Sequence, residues 1–124
     1  MKNAFIATAL VAALGLAGCS SQEDSALGNV AAGEKQANTK GAATGQSCID
    51  CHGASGNAPI DATYPKLGGQ YRDYLVHALQ MYRSGERSNA LMSQQARDLT
   101  DQQINDLAAY FAAQPSQLRD LSAP

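Results

Sequence analysis

Hydrophobic and polar positions divide the chain into four stretches. A nearly unbroken apolar run from Ala4 to Ala17 follows a single basic residue, Lys2. This is the pattern of a secretory signal, and it is shorter than the ~20 apolar residues of an ordinary membrane-spanning helix. From Ser20 to about Gln46 the chain is rich in Ser, Ala, Gly, Asn, Gln and Thr, with Leu27 and Val30 its main large apolar residues. Such a composition buries little surface and predicts a flexible tether, although Asn29 to Lys40 is compatible with a short helix packed on the following domain. Beyond Gln70, Tyr71, Tyr74, Leu75, Ala78, Leu79 and Tyr82 recur at the three- and four-residue spacing of one helical face, and Gly85 ends the pattern. A second helix is expected from Thr100, where Thr100 and Gln103 can form a capping box and Ile104, Leu107, Ala108 and Phe111 share a face. Pro115 stops it.

Sustained alternation with β-branched residues is absent from the sequence, so the fold class is expected to be all-α. The part expected to fold, roughly residues 30 to 115, is small for a self-sufficient hydrophobic core. Domains of this size commonly rely on a staple such as a disulfide, a metal or a bound group.

Cys48-Ile49-Asp50-Cys51-His52 supplies a candidate staple. Two thiols two residues apart, followed at once by an imidazole, read as covalent attachment of one haem c through Cys48 and Cys51, with His52 as an axial ligand of the iron. A thioredoxin-type redox pair would want a βαβ context, and a zinc site would want further Cys or His ligands, of which His77 is the one other histidine. The second ring nitrogen of His52 needs a partner to fix the ring, and the carbonyl of Pro59 is the candidate acceptor. The opposite axial position decides between electron transfer and chemistry on a small molecule. Its candidates are Met81, within a helix where methionine usually packs; His77, on the polar side of that helix; and Met92, in a segment expected to be non-helical between Gly85 and Thr100. Met92 is favoured, because such a segment can extend across the haem face.

Leu16-Ala17-Gly18-Cys19 at the end of the apolar run resembles the lipobox of bacterial lipoproteins. That likeness implies cleavage before Cys19 and lipidation of Cys19, anchoring a water-soluble domain to a membrane. The expected location is the periplasmic side. Ser20 after Cys19, in place of an Asp, slightly favours the outer membrane over the inner. With 9 basic and 11 acidic side chains the formal charge is −2, and −3 once Lys2 leaves with the signal. An acidic balance without a basic patch excludes nucleic acid as an expected partner.

Beyond the cysteine motif, Tyr64-Pro65-Lys66-Leu67-Gly68-Gly69-Gln70, Tyr74-Leu75, Arg83-Ser84-Gly85 and Met92 before Leu99-Thr100-Asp101 resemble the haem domains of class I bacterial cytochromes of the c4/c5/c553 group. The resemblance runs from about Gln46 to Gln114. It implies a class I cytochrome c fold, short helices around one covalent haem. It also implies ligation of the iron by His52 and Met92, since the family's distal methionine stands seven residues before the position of Leu99. Tyr64, Lys66, Gln70 and Tyr71 become candidates for lining the haem. Residues 1–18 are then expected as signal, 19–40 as lipid-anchored tether, 41–118 as haem domain and 119–124 as tail. The expected function is transfer of single electrons between redox partner proteins of a respiratory chain, without catalysis. The alternative is a haem enzyme or gas sensor with an open distal site. One departure stands out, for c4 proteins carry two such domains and this chain carries one CxxCH.

Overall fold

The structure is a computed structural model and describes residues 26–119. The apolar run, Cys19 and the first part of the expected tether, to Ser25, lie outside the described residues. So does the tail beyond Arg119.

Among the described residues, five α-helices follow one another: α1 (Val30–Asn38), α2 (Cys48–His52), α3 (Arg72–Ser84), α4 (Met92–Ala96) and α5 (Asp101–Ala112), with a 3-10 turn at Ala54–Gly56 after α2. No strand occurs among the described residues, and none of their helices is long and apolar enough to cross a membrane. The all-α expectation is met.

Helix α5 is the centre of the fold. The Thr100 hydroxyl accepts the Gln103 backbone N–H at 3.2 Å, and the Gln103 side-chain oxygen accepts the Thr100 N–H at 2.9 Å. This reciprocal box satisfies two of the donors that a helix start leaves without partners. Ile104, Leu107, Ala108 and Phe111 are buried as their spacing predicts, but so are Asp106, Ala109 and Tyr110. Burial on nearly all sides follows from α1 packing on one flank and α3 on another.

Helix α1 realises the short helix read between Asn29 and Lys40, and it is part of the domain instead of free tether. Asn29 caps it by accepting the Ala32 N–H at 2.9 Å, while the Asn29 N–H donates to the buried Asp106 carboxylate at 2.7 Å. Gln102 donates to the same carboxylate oxygen at 2.9 Å, so Asp106 is compensated by hydrogen bonds where it is buried. The crossing is closest at Gly33, where an added Cβ would fall 1.9 Å from the Asp106 carbonyl oxygen and 2.7 Å from the Tyr110 Cβ.

Helix α3 ends at Gly85 in the left-handed conformation (φ 85°), whose N–H donates to the Met81 carbonyl at 3.0 Å. In its last turn Arg83 donates to the Leu99 carbonyl at 2.9 Å and to the Asp101 carboxylate at 2.6 Å. The end of α3 is thus tied to the start of α5, and the intervening segment that carries Met92 is held at both ends. That segment is not wholly non-helical as the sequence predicts, because Met92–Ala96 forms α4. The Asn89 side chain accepts the N–H groups of Leu91 and Met92, each at 3.0 Å, which starts the turn, and Ala96 is fully buried at its end.

Two substitutions test this packing in denaturant unfolding of the haem-loaded protein. Gly33→Ala is expected to destabilise by about 2 kcal/mol through overpacking; in a helix free of α5 the same change would stabilise by about 1 kcal/mol, so the sign alone decides. Thr100→Ala is expected to cost about 1 kcal/mol through loss of the cap, and an unchanged midpoint would contradict the role given to the box.

Candidate functional site

Helix α2 is a single short turn that carries all the chemistry of the CxxCH motif. Its start is held by Asp50, whose carboxylate accepts the Ser47 N–H at 2.6 Å and pairs with Lys40. The ion pair with Lys40 and the hydrogen bonds from Ser47 pull the Asp50 carboxyl down to about 2. The helix ends at Gly53 (φ 80°), where a Cβ would fall 2.1 Å from the Ala58 carbonyl oxygen. Only a glycine lets the chain double back so tightly.

No disulfide joins Cys48 and Cys51. Burial pushes the Cys48 thiol up to about 11, aided by the neighbouring Cys51 and Asp50. A catalytic redox pair needs the opposite, a lowered thiol.

His52 is buried, 5% exposed, and its Nδ1 lies 2.9 Å from the Pro65 carbonyl oxygen. A carbonyl can only accept, so Nδ1 carries the hydrogen and donates it, which leaves the Nε2 lone pair for a metal. Burial also lowers the basicity of the ring, favouring the neutral, ligating form. The expected acceptor, Pro59, is replaced by Pro65 for a geometric reason. After Gly53 and the turn at Ala54–Gly56 the chain folds back so that the Ile60 N–H donates to the Cys51 carbonyl at 3.0 Å. The Leu67 N–H donates to the Gly56 carbonyl at 2.7 Å, and this contact brings the 65–67 segment, not the 58–59 one, under the imidazole. Tyr64 lies beside the ring, with centroids 6.3 Å apart.

Cys48, Cys51, His52 and Met92 line one cavity of about 470 Å³. Its walls are apolar: Leu67, Leu75, Ala78, Leu79, Leu107, Ala108 and Phe111. Among the other distal candidates, His77 is exposed and Met81 is half-buried, and neither lines the cavity. Tyr64, Lys66 and Gln70 line it as the resemblance implies, whereas Tyr71 does not and is 75% exposed. Tyr74, Tyr82, Arg87, Asn89 and Gln95 add to the polar part of the lining, with the Arg87 guanidinium 4.7 Å above the Tyr82 ring. Two thiols, a buried imidazole with one nitrogen committed to a carbonyl and a thioether, gathered around an apolar cavity of ligand-binding size, fit a covalently held haem.

Sequence reasoning passed over Pro65 and Asn89. Pro65 lay in a run noted only for its family likeness, and Asn89 could have been found as an Asx-type cap three residues before Met92.

The family model for cytochrome c matches residues 30–114. Cytochrome c-554(548) of Halomonas halodenitrificans is 40% identical over 92 residues, which cover 70% of this chain and 98% of that protein. Cytochrome c4 of Thiocapsa roseopersicina is 40% identical over 89 residues, 72% of this chain but only 42% of the relative. The chain therefore spans less than half of that c4 protein and nearly the whole of the c-554(548) protein. Among solved structures, reduced cytochrome c4 from Pseudomonas stutzeri superposes with a TM-score of 0.62 at 30% identity, covering 69% of this chain and 48% of the other. A thiosulfate dehydrogenase from Marichromatium purpuratum superposes with a TM-score of 0.63 at 33% identity, covering 71% of this chain and 20% of the other. The chain belongs to the cytochrome c family and has its all-α fold.

Proposed function

We propose that this protein is a single-haem electron carrier whose iron is ligated by His52 and Met92. The observation that carries the reading is the gathering of Cys48, Cys51, His52 and Met92 around one apolar cavity, from which the rival ligands Met81 and His77 are absent. When bound there through the two thiols, a haem c supplies a one-electron ferric/ferrous couple.

The chain's own residues do the rest. The Pro65 carbonyl keeps the imidazole oriented with Nε2 free to ligate, burial favours its neutral form, and the hydrogen bond at Nδ1 strengthens it as a ligand. The Met92 thioether, a soft ligand, favours the reduced metal and raises the potential. Leu75, Leu79, Leu107 and Phe111 keep water from the cavity walls, which also favours the less charged ferrous state. A carrier with both axial positions filled needs no substrate site.

The proposed setting is the periplasmic face of a membrane, with Cys19 as the lipid anchor. Transient contacts with a donor and an acceptor protein are expected to be small. Names among the relatives support a dehydrogenase as donor: a thiosulfate dehydrogenase electron acceptor of Thiomonas intermedia is 42% identical over 66 residues, covering 53% of this chain and 30% of that protein.

The test is Met92→Ala in the haem-loaded protein, followed optically in both oxidation states and with carbon monoxide. The parent is expected to be low-spin and to resist the gas, and the variant to bind it readily. A high-spin parent that binds carbon monoxide as readily as the variant would remove Met92 from the iron and point to a haem enzyme or gas sensor.

A further inference from the structure

Helix α4 carries Met92, but its side chains make few bonds to the rest of the domain. Ser93 and Asn89 bond to each other within the 89–93 turn, the Ser93 hydroxyl accepting the Asn89 N–H at 3.2 Å. Among the described side chains of α4, Gln95 alone forms hydrogen bonds outside the 89–99 segment. Its Nε2 donates to the Thr44 hydroxyl at 2.6 Å and to the Gln46 carbonyl at 2.9 Å. The same Gln46 carbonyl accepts the Gly41 N–H at 2.9 Å, which closes the 41–46 loop, and the Gln46 side-chain oxygen lies 3.5 Å from the Cys51 sulfur. One amide thus joins the helix of the distal methionine to the loop that leads into the attachment helix.

Gln95 also stands between two cavities. Besides the large one it lines a second, of about 200 Å³, which borders Met92 and Cys48 from the side of Gln36, Thr39 and Gln94. Removal of its side chain would unfasten α4 from the 41–46 loop.

We infer that Gln95 is a positioning residue that holds Met92 in the large cavity and sets how readily another ligand displaces the thioether. The inference rests on the reading of Met92 as the distal ligand. A thioether is weakly held by ferric iron, which is the harder oxidation state, so movement of α4 away from the cavity limits its exchange. That movement breaks both bonds of the Gln95 amide. Net hydrogen-bond strengths of ordinary size make the expected acceleration on the order of tenfold when they are removed.

The experiment mixes imidazole with the ferric, haem-loaded protein and follows loss of the methionine–iron charge-transfer band. Gln95→Ala is expected to keep the band before mixing and to lose it roughly tenfold faster than the parent. Thr44→Val removes one acceptor from the other side of the contact and is expected to accelerate exchange by a smaller factor, so it decides the matter if Gln95→Ala does not fold. Gly33→Ala weakens the fold at the distant α1–α5 crossing and is expected to leave the exchange rate at the parent's value, which separates positioning from general stability. A parent that shows the band while the Gln95 and Thr44 variants exchange at its rate overturns this inference and leaves the ligand reading intact. Equal acceleration in Gly33→Ala overturns it as well. A parent without the band overturns the ligand reading, and this inference with it.

Discussion

A cavity lies against the packed centre of this domain, and much of the architecture is arranged around it. Among the described residues, Ile104 and Leu107 are the large side chains that are fully buried. The apolar face of α3 both packs on α5 and lines a space of about 470 Å³. So small a domain buries a modest share of its apolar surface against the entropy of ordering its loops, and a bound group adds to what it can bury. On the proposed reading, a haem held in that space by the two thiols completes the core and cannot be lost when the domain breathes. Stability and function therefore share one cavity.

Around it, the chain positions each chemical group with backbone hydrogen bonds and caps, and Lys66 and Arg87 are the charged side chains that reach its lining. The Lys40–Asp50 pair lies at the outer end of α2, and Arg83 spends its charge on Asp101 between the ends of α3 and α5. His52 is oriented by a neutral carbonyl. Such a surround has few side chains that must rearrange when a metal at its centre changes charge. That property suits electron transfer better than chemistry on a bound substrate, which calls for groups aimed at a reacting atom.

The long helices were legible because their periodicity is strong and their ends carry local signals, Gly85 for α3 and the Thr100–Gln103 box for α5. The attachment motif was legible because its chemistry demands a contiguous spacing. What escaped is non-local. Helix α1 contains Gly33, a poor helix former, and its weak apolar pattern makes sense only beside Asp106 and Tyr110 of α5. Helix α4 is too short for a period to show, and it depends on Asn89 and on burial of Ala96. Pro59 and Pro65 are equivalent on paper. The tight turn at Gly53 and the positive φ of Ser55 (59°) decide which carbonyl reaches His52, and neither could be read from composition. Gln95 gave no signal, being one of four glutamines between residues 94 and 103 until the fold set it against Thr44.

The central claim is that one thioether sulfur from this chain completes the iron's coordination opposite His52, and X-ray absorption at the iron edge tests it most directly. Measured on the haem-loaded protein in both oxidation states, the account predicts a single sulfur in the first coordination shell with nitrogen at the other positions. A shell of nitrogen and oxygen alone, or one axial position left open, would contradict it.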